Sequence, residues 1–146
     1  MTDKQLSLLV GGFIPAVLFG IVATFQKVIN REAIGMGPYL MGIGATIFAV
    51  GALYALCDRD FAATPRAGAY VVLFGVMWSG AMICVAIALK RYNGQIGQIV
   101  SIYNMNTIIS VVIGLVVLSE WKNVNSARLL AAAVLISLGG VLAAQA

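Results

Sequence analysis

Apolar residues run in five long blocks separated by short polar breaks. A bilayer core of about 30 Å takes about 20 helical residues, so the pattern predicts five membrane-spanning helices: Leu6–Gln26, Tyr39–Cys57, Gly68–Leu89, Gln95–Leu118 and Ala127–Ala144. The connections fall at Lys27–Pro38, at Asp58-Arg59-Asp60 through Thr64-Pro65-Arg66, at Lys90-Arg91-Tyr92-Asn93 and at Ser119–Ser126. The expected fold is all-α, a single five-helix transmembrane domain over residues 1–146. Pro15, lying between glycines, predicts a kinked or loosened first helix, tolerable where neighbours re-satisfy the backbone. Ala16, Gly20 and Thr24 stand at small-xxx-small spacing and offer a close-packing face. Gly42, Gly44 and Gly51 are packing notches in the second span, and Gly75, Ser79 and Gly80 keep the third slim. Pro38 suits the first turn of the second helix, and Ser126 or Asn125 can cap the fifth. Trp121 and Lys122 look like interface anchors.

The fourth span is unlike the others. Its first half carries Gln95, Gln98, Ser101, Tyr103, Asn104, Asn106, Thr107 and Ser110. Such groups are unfavourable in hydrocarbon unless they are paired or line a wet cavity. At 100° per residue, Gln95, Tyr103, Asn106, Thr107 and Ser110 fall within about 120°. Gln98, Ser101 and Asn104 lie on the other side. This is the pattern of a helix wrapped by protein with one side on a cavity, and Gly94 and Gly97 offer places for its start to loosen. Amides and hydroxyls at fixed positions suit sugars, amino acids or similar solutes. The alternative is that they glue helices together, each bond worth about 0.6 kcal/mol; both readings stay open. Tyr103, Asn104 and Asn106 are the leading lining candidates because they sit deepest. Gln95, Gln98 and the mid-span Trp78 complete the candidate substrate-binding set, although core packing also explains Trp78.

Composition sharpens this. The chain is 62% hydrophobic and 10% charged, against about 25% charged in soluble domains, which marks an integral membrane protein. The +4 net charge sits in the breaks, where snorkelling explains it, so no nucleic-acid partner is expected. Cys57 and Cys84 have no motif spacing and read as small buried hydrophobes. With no His in the chain, the commonest metal ligand and proton relay is missing. Neither metal nor other cofactor is expected, and no nucleophile constellation or phosphate loop suggests an enzyme. Asp3, Glu32, Asp58, Asp60 and Glu120 all fall at span ends or in connections. A mid-membrane charge costs about 2.5–3.5 kcal/mol and usually marks an ion pathway, so export of cations through a buried carboxylate is disfavoured. Lys27 reads as a snorkelling anchor, with an anion contact as its alternative.

If the N-terminus is cytoplasmic, Lys4, Arg59, Arg66, Lys122 and Arg128 lie on that side and Lys27, Arg31, Lys90 and Arg91 on the other. Orientation follows the Lys/Arg bias of short loops, and here it is nearly null. The chain is therefore expected either to insert in both orientations, so that two inverted copies make the inverted-repeat plan of many transporters, or to hold one orientation for other reasons.

The segment Ile113-Gly114-Leu115-Val116-Val117-Leu118-Ser119-Glu120, followed by a short polar turn and by Leu129–Ala144 with Leu138-Gly139-Gly140-Val141, resembles the end of an EamA-type repeat of the drug/metabolite transporter superfamily. The five-span layout extends the resemblance along the chain; the motif-like residues lie in its last third. The resemblance implies one five-helix half of a ten-helix inverted-repeat transporter, completed by a second copy or a paralogous partner. It also implies structural roles for Gly114 and for Glu120, which is expected to pair with a nearby Lys or Arg and fix the turn. In size and logic the chain is similar to the small multidrug resistance proteins, but its first span lacks their embedded carboxylate. The expectation is a small-solute transporter of a bacterial cytoplasmic (inner) membrane, working by alternating access as a dimer on a neutral or zwitterionic solute. The rivals are a non-transporting membrane subunit and a lipid-headgroup flippase.

Overall fold

The computed structural model describes residues 2–32, 34–59, 61–122 and 124–146, with the backbone alone for Asp3 and Lys4. Asp60 and Asn123, both assigned to connections, lie outside the described residues, as do the side chains of Asp3 and Lys4. The described chain is helical: α1 (Asp3–Leu8), a π-helical turn (Leu9–Phe13), α2 (Ile14–Arg31), α3 (Met36–Asp58), α4 (Pro65–Arg91), α5 (Ile96–Tyr103), α6 (Asn106–Val116), a 3-10 turn (Glu120–Lys122) and α7 (Ser126–Ala144). These make five helices long and apolar enough to cross a membrane: Gln5–Arg31, Met36–Asp58, Pro65–Arg91, Ile96–Val116 and Ser126–Ala144. The protein is an integral membrane protein.

Helix ends follow local chemistry. Thr64 accepts from Ala67 N at 3.2 Å, with Pro65 in the first turn; proline's missing N–H costs nothing there. Asn125, rather than Ser126, caps α7, accepting from Arg128 N at 3.0 Å. Replacing either cap by Ala should cost about 1 kcal/mol; thermal melting of Thr64→Ala and Asn125→Ala, each against the parent, reads this directly. Arg59, Asn93 and Ser119 adopt left-handed backbone at φ 54°, 49° and 56°. Asparagine tolerates that region best of the three, in keeping with Asn93 as the turn residue after α4.

Several expected boundaries move. The first span runs on to Arg31 instead of stopping at Gln26, so Lys27 and Arg31 lie on helix. Long basic side chains can ride a helix out through the interface, and nothing in Lys27–Arg31 breaks one. The third span likewise takes in Pro65-Arg66 and Lys90-Arg91, and the fourth ends at Val116 rather than Leu118. The loosening expected near Pro15 is the π turn Leu9–Phe13, which contains Gly11 and Gly12. Pro15 cannot donate to Gly11, and a wider turn absorbs that loss. Cys57 and Cys84 are free thiols on exposed positions, not buried ones. The packing-notch glycines Gly20, Gly42, Gly44, Gly51, Gly75 and Gly80 meet nothing within 4 Å where a Cβ would stand, so the chain by itself does not use them.

The chain divides into two compact units. One holds the residues up to Thr24 together with Asn93–Ala146; in it α5 and α6 both pack on α7, and the 3-10 turn folds onto α6. The other is Phe25–Tyr92, where α3 touches α4. Its interior is set by Gln26, the buried polar residue among those described. The Gln26 side chain donates to Met82 Sδ at 3.7 Å, and Tyr39 of α3 is buried in the same unit. A satisfied amide inside an apolar unit specifies which helices meet, since a misfit leaves it unpaired.

Candidate functional site

The fourth span is broken in its middle. Met105, Thr107 and Ile108 donate backwards over three residues rather than four, to Ile102, Asn104 and Met105 at 3.0–3.1 Å. Polar side chains favour the break. Thr107 Oγ1 donates to Asn104 O at 2.8 Å, and Ser101 Oγ donates to Gly97 O at 2.8 Å. Side chains that bond their own backbone compete with the regular helix ladder and bend it. Of the two glycines expected to loosen the start, Gly97 lies within α5, whereas Gly94 stands outside the helix, before its N-cap Gln95.

Because Met105 N turns to Ile102, the Ser101 carbonyl loses its usual helical partner. That carbonyl faces Gly140 of α7. A Cβ on Gly140 would stand 2.6 Å from Ser101 O and 3.1 Å from Met105 Cγ, whereas one on neighbouring Gly139 would meet nothing within 4 Å. Gly140 is thus the point at which α7 seats against the break. Small residues of this kind let membrane helices approach to backbone contact.

This packing sorts the candidate residues. Gln98 and Ser101 are half-buried, as are Met105 and Ile108, along the spacing that faces α7. Tyr103, Asn104, Asn106 and Ser110 are exposed. Asn106 stands midway along the Ile96–Val116 helix, and Asn104 lies at the break itself. Among the described residues, neither asparagine side chain has a hydrogen-bond partner. Gln95, also exposed, occupies the N-cap position of α5. Trp78, on α4, is 37% exposed and belongs to the other unit, so its expected place in a set with these residues rests on sequence alone.

Gly114 and Glu120 do come together, in a different way from that expected. The Glu120 carboxylate folds back over α6, and a Cβ on Gly114 would stand 2.8 Å from Glu120 Oε2. The nearest basic side chain in sequence, Lys122, instead lies over the Trp121 ring, 5.6 Å from its centre. The Glu120 carboxylate therefore lies against the buried Gly114, while Lys122 lies over Trp121. Sequence reasoning missed Gln26, which it read as a span end; a lone amide between Phe25 and a basic residue carries no signal of burial.

Among the described residues, no group of His, Cys, Asp and Glu side chains is arranged to hold a metal ion. Chemically the site offers amides, a phenol and hydroxyls beside a broken helix, a set that can donate to and accept from an uncharged polar solute. Compared with known proteins, the chain matches no family model, no curated protein and no solved structure, so its function is read from this geometry.

Proposed function

We propose that the protein is a small-solute membrane transporter that works by alternating access as a dimer, with two copies in opposite orientations. The carrying observation is the pair Asn104 and Asn106, exposed and unpaired at the middle of a membrane span. Amides left facing hydrocarbon are costly, and a partner copy enclosing them around a wet cavity removes that cost. The break beside them supplies the discontinuous helix on which transporter binding sites are commonly built. Acids only at span ends favour a neutral or zwitterionic cargo over a cation. The nearly balanced Lys/Arg distribution favours two orientations.

A non-transporting subunit is the second reading, and the open glycines of α3 favour it. Gly44 and Gly51 face empty space along a span-length helix, a surface on which another membrane protein could seat. Substituting Asn104 and Asn106 by Leu tests the first, and substituting Gly44 and Gly51 by Leu tests the second. Transport lost with the dimer intact in the asparagine variants supports a cavity; assembly lost in the glycine variants, with the asparagine variants unaffected, supports docking.

A further inference from the structure

We propose that the groove at the start of α3 holds an acyl chain of an anionic phospholipid, its phosphate held by Lys90 and the arginines beside it. The claim stands apart from what the protein transports. The groove is an open one of about 440 Å³, lined by Ile34, Pro38, Tyr39, Ile43 and Ile47, among others. Of the two hydroxyl-bearing residues on its wall, Thr46 is committed, donating to Gly42 O at 2.9 Å, and Tyr39 is buried. What remains is an apolar trough. From Met36 to Ile47 a helix rises about 17 Å at 1.5 Å per residue, close to the depth of one leaflet of a bilayer core of about 30 Å.

The mouth of this trough is basic. Lys90 Nζ donates to the backbone carbonyl of Ile34, and Ile34 is itself part of the groove wall. The ammonium therefore stands beside the groove wall, on an exposed residue. Arg91 follows it in sequence, Arg31 stands three residues before Ile34, and both are exposed. Glu32, also exposed, is the acid on this connection, so the cations outnumber it. Basic residues in a last helical turn also complement the helix dipole. That accounts for Arg31 and Arg91 in part, but not for Lys90, whose ammonium turns away from its own helix end to Ile34. An apolar trough of leaflet depth under a rim of cations matches one occupant, a phospholipid bearing net negative charge.

The test is native mass spectrometry of the full chain released from bilayers of equal phosphatidylglycerol and phosphatidylcholine with identical acyl chains. Phosphatidylglycerol should be retained in preference. Arg31→Gln and Arg91→Gln should each reduce that preference about fivefold, the value of a surface cation near an anionic headgroup. Gly42→Leu should abolish retention of both lipids with the rim intact, since a side chain there enters the trough and a Cβ meets nothing within 4 Å. Equal retention of the two lipids by the parent overturns the proposal. So does a preference left unchanged by both Arg substitutions, or displacement of the lipid by millimolar inorganic phosphate, which would mark a free-anion site.

Discussion

Gly140→Ala should destabilise the protein by about 1–3 kcal/mol, the range for overpacking a well-fitted contact, while Gly139→Ala should leave it unchanged or slightly more stable. The two glycines are adjacent in one helix, so backbone entropy and helix propensity act on both alike. Alanine gains up to about 1 kcal/mol over glycine in a helix interior, and at Gly139 nothing opposes that gain. At Gly140 the new methyl would stand 2.6 Å from the Ser101 carbonyl oxygen. That atom belongs to the backbone and cannot swing aside; α7 or α5 must shift as a body. Gly114→Ala should fall between the two, because the atom in its way, Glu120 Oε2 at 2.8 Å, ends a flexible side chain. Thermal melting of the three variants in one detergent or lipid gives the ranking. Equal effects of Gly139→Ala and Gly140→Ala would contradict the seating of α7 on the break.

Asn104→Leu together with Asn106→Leu should reduce transport by about tenfold or more, the scale of 1–3 kcal/mol for polar groups that lose their partners. The dimer should persist. The assay is uptake of a panel of radiolabelled neutral sugars and zwitterionic amino acids into proteoliposomes, with crosslinking to report assembly. The outcomes separate because the asparagines sit on the exposed side of the span while Gln98 and Ser101 face α7. If the exposed amides met only lipid, leucine would suit that environment better, and both transport and assembly would be unharmed. That result would remove these residues from the site.

How much of this was legible in the sequence differs by element. The five spans were, because a run of about 20 apolar residues has few other uses. So was the Asn125 cap, a short-range matter of one side chain and a backbone N–H three residues on. The polar fourth span announced itself by composition, and helical spacing already set Gln98 and Ser101 apart from Tyr103, Asn106 and Ser110; that Asn104 is exposed with the latter and Thr107 is not was hidden. The division depends on a break at Asn104 and Met105 where no glycine or proline stands, and on Gly140, far along the chain. Nor does sequence tell Gly140 from Gly139; only the backbone carbonyl opposite one of them does. Lys90 reads as one more basic residue in a break between spans, and its contact with the Ile34 carbonyl is not legible there. Glu120 lies in the turn after α6, and its carboxylate meets the surface of Gly114, a contact that spacing does not announce. Local rules carried caps and spans, and contacts across the fold decided the rest.

The central claim, two copies in opposite orientations around the polar face of the fourth span, is tested most directly by topology. Single cysteines at Asp3 and at Gln145, each in a Cys57→Ala, Cys84→Ala background, would be labelled in intact cells with an impermeant thiol reagent. Five spans put the two positions on opposite sides of the membrane in any one molecule. The account predicts that roughly half of the molecules label at each position, as both orientations coexist. Full labelling at one position with silence at the other would contradict it.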